Sequence, residues 1–124
     1  MNNLTDIANK MTGDGKGILA ADESTPTCSK RFDSIGVESS FETRNEYRDL
    51  LITAIGMEEY IGGVIMFDET LRQSTTCHNK IPFPKHLESK GVIPGIKVDK
   101  GVKNLAGGNG EKITEGLDGL RERL

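Results

Sequence analysis

The chain has 124 residues, with 16 Lys and Arg against 19 Asp and Glu, a formal net charge of −3 and a hydrophobic fraction of 35%. That balance describes one ordinary globular domain able to bury a core without staples. It lacks the basic stripe that non-specific nucleic-acid binding needs and any apolar run near the roughly 18 residues that span a bilayer. Acidic Asp6 sits in an N-terminal stretch with no continuous apolar segment, which argues against a secretory signal, and the two Cys are too few for a disulfide framework, so a reducing cytoplasm is the expected compartment.

Apolar spacing predicts strands alternating with helices. Leu4, Ile7, Ala8 and Met11 fall on one face of a short helix over 3–12, stopped by Gly13 and Gly15. Gly17 to Ala21 is a first apolar strand ending at Asp22-Glu23. Thr25 and Pro26 read as N-cap and first residue of a helix running to about Ile35 and closing at Gly36. Ser39-Ser40-Phe41-Glu42 reads as a capping box opening a helix with Tyr47, Leu50, Leu51, Ala54 and Ile55 on one side. A second apolar run, Tyr60 to Phe67, ends at Asp68-Glu69. Residues 74–84 are polar with Pro82 and Pro84 and read as a loop, followed by a short helix from Lys85 to Lys90 that Gly91 stops. Val92 to Val98 is the third run and ends at Asp99, residues 101–116 hold five Gly and read as a long loop, and the last residues begin an amphipathic pattern.

The three runs share one design. Each is apolar almost throughout, as a strand buried on both faces requires. Each leads into helix-forming sequence, so right-handed crossovers and a parallel sheet are expected. Each ends in carboxylates, at the end of the strand where α/β folds place their chemistry. One such acid is commonly just a helix N-terminal charge; three in succession point to a shared polar mouth.

Strand periodicity sharpens the expectation. Ile18, Ala20 and Asp22 share one face of the first strand, and Gly95, Lys97 and Asp99 oppose Ile96 and Val98 on the third. Lys97 therefore points away from its apolar neighbours, into a cleft where an ammonium needs a carboxylate or a substrate anion. The blander alternative is a structural ion pair with Asp22 or Asp99. A second constellation, Ser24 to Arg31, places hydroxyls at a helix start with Lys30 and Arg31 one turn in. Such a start suits a phosphate, and an ordinary capped helix with exposed cations has the same sequence. Four other candidates read as structural. Gly13–Gly17 and Gly107–Lys112 miss the spacings of phosphate and dinucleotide loops. Cys77, His78 and His86 are too sparse for a metal site, and Cys28 has no general base beside it in sequence.

Five ordered blocks go further: Gly15 to Thr25 (GKGILAADEST), Arg31 to Val37 (RFDSIGV), Val64 to Thr70 (VIMFDET), Gly95 to Gly101 (GIKVDKG) and Gly116 to Leu120 (GLDGL). Together they resemble class I, Schiff-base fructose-bisphosphate aldolases, from about residue 4 to the end. The resemblance implies an α/β fold, the (β/α)8 TIM barrel, of which this chain would supply the first three strand–helix units. It implies reversible cleavage of fructose 1,6-bisphosphate to dihydroxyacetone phosphate and glyceraldehyde 3-phosphate, in glycolysis and gluconeogenesis. It also implies no metal or other cofactor, a sugar-phosphate substrate, a cytosolic setting and a homotetramer. Matched motif by motif, Asp22 would be a catalytic acid and Lys97 the lysine near the substrate oxygens. Ser24 and Thr27 would contact a phosphate with Arg31 close by, and Arg44 aligns with a further substrate-side arginine.

Pro26 stands where the family usually has Gly, and Thr27 where many members have Ser; Pro removes one N–H from the turn. A closed barrel of this kind takes roughly 250 residues, so the chain is expected to be the N-terminal third of such a domain. The family's Schiff-base lysine and second phosphate site would lie outside it, and these 124 residues alone would be inactive. Two alternatives of other classes are a sugar-phosphate binder without catalysis and, ranked below it, a small doubly wound enzyme, for which the phosphate loop after the first strand is missing.

Overall fold

In the computed structural model, which describes residues 3–77 and 79–124, the three apolar runs form one parallel sheet in the order β1-β2-β3. The strands are β1 (Gly17–Ala21), β2 (Ile61–Met66) and β3 (Ile93–Ile96), close to their predicted places. The ladder pairs Ala20 with Ile65 and Ile65 with Gly95, so those three residues share one face. Ala21, Met66 and Ile96 share the other.

Two helices, Phe41–Ile52 and Phe83–Ser89, cover that second face, and the first helix, Leu4–Thr12, closes the end of the sheet where β2 begins, against Gly62 and Gly63. Helix α1 (Leu4–Thr12) opens on Asn3, whose side chain accepts from the Asp6 N–H in a capping box. Its C-terminal turn lies across the start of β2, where a Cβ on Gly62 would stand 2.2 Å from the Met11 carbonyl oxygen. Helix α2 (Thr25–Asp33) starts one residue earlier than predicted: Ser24 is the N-cap, Thr25 is already helical, and Pro26 follows it in the first turn. Helix α3 (Phe41–Ile52) starts one residue later than the predicted box. Ser40 caps it and Thr43, not Glu42, completes the reciprocal pair.

Short helices α4 (Met57–Tyr60) and α5 (Asp68–Leu71) flank β2, and α6 (Phe83–Ser89) precedes β3, starting two residues before the predicted Lys85. Between α5 and α6 an isolated bridge joins Ser74 to Pro82. The core gathers Ala21, Val64 and Met66 of the sheet against Ile52 of α3, Phe83 and Leu87 of α6, and Val92. Phe32 of α2 meets Tyr47 of α3 edge to face, with ring centroids 5.6 Å apart.

Two expectations are corrected. The apolar face read for α3 is buried only in part: Tyr47 packs on Phe32 and Leu51 on the core, but Leu50 and Ile55 are exposed, while Arg48 and Ile52, outside that reading, are buried. The helix ends at Ile52 and the chain turns at Gly56 with φ +79°, so Ala54 and Ile55 never join the helical face. Residues 101–116 are not a structureless loop. They fold into an antiparallel hairpin, β4 (Val102–Asn104) with β5 (Lys112–Thr114), whose tip carries Gly107 and Gly110 in the left-handed region. The final amphipathic pattern forms a single turn, α7 (Leu120–Arg123).

Candidate active site

All three parallel strands deliver polar groups to one end of the sheet, and an open cleft of about 680 Å³ lies there. Asp22 follows β1, Phe67 and Asp68 follow β2, and Lys97 and Asp99 follow β3, all lining this cleft. Ladder pairing reaches one residue beyond β3, where the Lys97 N–H donates to the Met66 carbonyl at 2.8 Å. That bond fixes the backbone from which the Lys97 side chain leaves.

Strand alternation then puts the Lys97 side chain on the face opposite α3 and α6. Its Nζ donates to Asp22 Oδ2 at 3.2 Å and lies 2.7 Å from Asp99 Oδ2. Asp99 and then Asp22, by hydrogen bonds, hold the ammonium above the ordinary lysine value against the opposing effect of burial. Lys97 in turn holds the Asp99 carboxyl below its ordinary value, helped by the Gly101 N–H at 3.1 Å. The cation is thus fully charged and held between two carboxylates, each on a different strand exit or just beyond it.

The hydroxyl cluster sits on the β1 side of the same cleft. Ser24 and Thr27 both line it, and their hydroxyl oxygens are 3.2 Å apart. Ser24 caps α2 by position only, since its side chain makes no cap hydrogen bond. Both hydroxyls therefore face the cleft edge rather than the helix backbone. Arg31 lies elsewhere: it is not a lining residue, and its Nη1 donates to the Glu23 carboxylate and, at 2.9 Å, to the Tyr47 hydroxyl. Arg44 is also engaged away from the cleft, in a two-pronged pair with Glu69 at 2.8 Å on both contacts.

Several residues at the site escaped the sequence reading. Lys100 lines the cleft and donates to the Asp118 carbonyl at 3.3 Å. Arg123 lines it too, and caps the end of β3 by donating to the carbonyls of Lys97 at 3.0 Å and Val98 at 3.2 Å. Lys100 was legible as a cation in the block that carries Lys97. Arg123 reaches the cleft only because the hairpin returns the chain, with Gly116 pressed against Val98 and Asp99.

Glu23, read from the sequence only as one of the carboxylates that end the first strand, also lines the cleft. Burial pushes its carboxyl up, but its own backbone N–H, Arg48 and Arg31 together outweigh that and leave it below the ordinary value. Cys28 is buried and free, with its thiol facing the Glu23 carbonyl at 3.8 Å. His78 lies outside the described residues, so the sparse Cys-His grouping is tested only through exposed Cys77 and half-buried His86.

Comparison with known proteins places this arrangement. The family described as fructose-bisphosphate aldolase class-I matches residues 3–124. The chain belongs to the class-I fructose-bisphosphate aldolases. It is 54% identical over 121 residues to the probable fructose-bisphosphate aldolase class 1 of Xylella fastidiosa, covering 98% of this chain and 36% of that protein. It is 56% identical over 121 residues to fructose-bisphosphate aldolase A of Salmo salar, covering 97% of this chain and 33% of that one.

Among solved structures it is similar to the fructose-bisphosphate aldolase of Plasmodium falciparum, solved as a ternary complex with TRAP and a small-molecule inhibitor. The TM-score is 0.86 at 50% identity, over 94% of this chain and 33% of that one. The chain spans about a third of the length of the relatives it matches. Its parallel strand–helix units are those of an α/β aldolase fold of the TIM-barrel type. Among the described residues no helix is long and apolar enough to cross a membrane.

Proposed function

We propose that this chain carries one side of an aldolase active site, for reversible cleavage of fructose 1,6-bisphosphate to dihydroxyacetone phosphate and glyceraldehyde 3-phosphate. The observation that carries the reading is the Lys97 ammonium, 3.2 Å from Asp22 in a cleft at the carboxyl ends of three parallel strands. Asp22 is the acid and base of the pair: its carboxylate takes or returns a proton as the carbinolamine forms and as the carbon–carbon bond breaks. Lys97 stays charged and holds substrate oxygens or phosphate in front of that carboxylate. Ser24 and Thr27 offer hydroxyls to a phosphate at the cleft edge. Arg31 reaches that phosphate only by exchanging its contact with Glu23.

The electron sink of the family is an imine on a lysine, and we assign that lysine, with the second phosphate site, to sequence outside these 124 residues. The chain is accordingly the first three strand–helix units of one barrel domain and is inactive alone. Its complete form acts in the cytoplasm, as a homotetramer.

The test replaces the matching segment of the Xylella fastidiosa relative with residues 3–124 of this chain. The graft cleaves fructose 1,6-bisphosphate, and Asp22→Asn and Lys97→Met each lower kcat/KM by about 100-fold or more, the scale of losing one preorganised charged partner. Full activity in both variants overturns the roles. The isolated chain, treated with dihydroxyacetone phosphate and borohydride, gives no covalent adduct by mass spectrometry; an adduct refutes the placement of the lysine.

A further inference from the structure

We propose that Arg48 is a positioning residue of this cleft, which fixes the β1 exit by gripping Glu23 from behind. The inference rests on the reading above only for its effect on activity; its structural content stands apart from it. The β1–β2 ladder ends at Ala21 and Met66, so the backbone of Asp22, Glu23 and Ser24 has no strand to pair with. Arg48, 2% exposed on α3, supplies what the sheet does not. Its Nη1 donates to Glu23 Oε2 at 2.6 Å, and its Nη2 donates to the Glu23 backbone carbonyl. Its Nε donates to Thr70 Oγ1 at 3.1 Å, in the short helix that follows β2. One guanidinium thus ties the exit of β1 to the exit of β2.

The grip has a direct geometric consequence. Successive residues of an extended chain point to opposite faces, so Glu23 turns toward the helices while Asp22 turns to the cleft and meets Lys97. A residue held at both its carbonyl and its carboxylate leaves its neighbours no slack. The second carboxylate oxygen is taken as well, by Arg31 and by the Tyr47 hydroxyl at 3.3 Å. The fork of an arginine is required, because an ammonium cannot reach a carboxylate, a carbonyl and a hydroxyl in one plane.

The experiment compares the wild-type chain with Arg48→Lys and Thr70→Val by backbone ¹⁵N relaxation. Order parameters at residues 22–24 fall from the rigid range of about 0.85 to below about 0.6 in Arg48→Lys, while Val64 and Met66 keep theirs. Thr70→Val, which removes one of the bonds, gives a smaller fall confined to the same turn. In the graft, Arg48→Lys lowers kcat by about tenfold with the melting temperature within a few degrees of the parent. A fall spread evenly over the sheet, or none in either variant, overturns the proposal. Loss of order at 22–24 alongside full activity of the Asp22→Asn graft sinks the functional reading and leaves the grip standing.

Discussion

The close approach of α1 to β2 yields a prediction whose size follows from the geometry. A Cβ on Gly62 would meet the Met11 carbonyl oxygen at 2.2 Å and its carbon at 2.7 Å. Gly62→Ala therefore forces a retreat of about 1 Å before ordinary contact is reached. Strand β2 cannot supply it, being hydrogen-bonded to β1 on one side and β3 on the other. Helix α1 can, because it contains no buried residue and a nine-residue helix alone is marginal. The cost is then that of loosening α1, about 1–3 kcal/mol on the scale of overpacked sites.

Amide exchange at Ile7 to Thr12 should quicken by ~5- to 150-fold as α1 opens locally, with Val64 and Met66 unchanged. Gly63→Ala is the internal control. Its Cβ would meet the Met11 methyl at 2.6 Å, the far end of a flexible side chain that can swing aside, so its effect should be smaller. Uniform exchange through the sheet, or a Gly63→Ala penalty equal to that of Gly62→Ala, would refute the reasoning.

Other outcomes follow from the same structure. Phe83→Ala removes a fully buried ring from the core and should cost about 3–5 kcal/mol in denaturant unfolding, a large share of the roughly 5–15 kcal/mol a domain holds. Leu50→Ser, at a side chain pointing to solvent, should stay within about 0.5 kcal/mol of wild type; a larger loss would restore the helix face that spacing alone suggested. The melting temperature should depend on pH at both ends. Asp99 and Glu23 are held below ordinary carboxylate values, so what they contribute is present above those values and disappears as pH falls through the lowered ones. Lys97 is held above the ordinary lysine value, so its contribution is complete below that value and is lost as pH rises through the raised one. Lys97→Met should flatten the alkaline limb, and an unchanged limb in that variant would count against the pair.

The sequence was most legible where one period governs a residue's fate. Apolar runs of five to eight residues read as strands, and alternation within each grouped Asp22 with Ile18 and Ala20 and turned Lys97 away from Ile96 and Val98. Caps were legible to within one position, since Ser24-Thr25 and Ser39-Ser40 each offer two adjacent candidates and the backbone chooses between them. Spacing failed on α3 because its inner face is not built of apolar groups alone. Arg48 is buried there through partners 22 and 25 residues away in the chain, and hydrophobicity is blind to a charge satisfied that way. The hairpin escaped for a related reason. Its strands are three residues each and exposed, and their pairing is set by the turn and by the Lys100–Glu115 backbone contact, not by a buried face.

The two faces of the sheet explain why the legible part was also the chemical part. Val64 and Met66 are sealed under α3 and α6, whereas Ile18 and Ala20 of the opposite face are exposed and Ile65 is half covered. The open face is the one that ends in Asp22 and Lys97. In a barrel such a face turns inward, so its strands must be apolar along their length and polar only at the mouth, where substrate replaces water. A charged group at the mouth can stay ionised there without a helix to shield it, provided neighbouring strand exits supply counter-charges. Lys97 meets that condition twice, through Asp22 of the first strand exit and Asp99 of its own. The same requirement explains Arg48: a pair whose members sit on separate strand exits works only if those exits are held in register beyond the last ladder bond, and in this chain the hold on β1 comes from the buried guanidinium behind it.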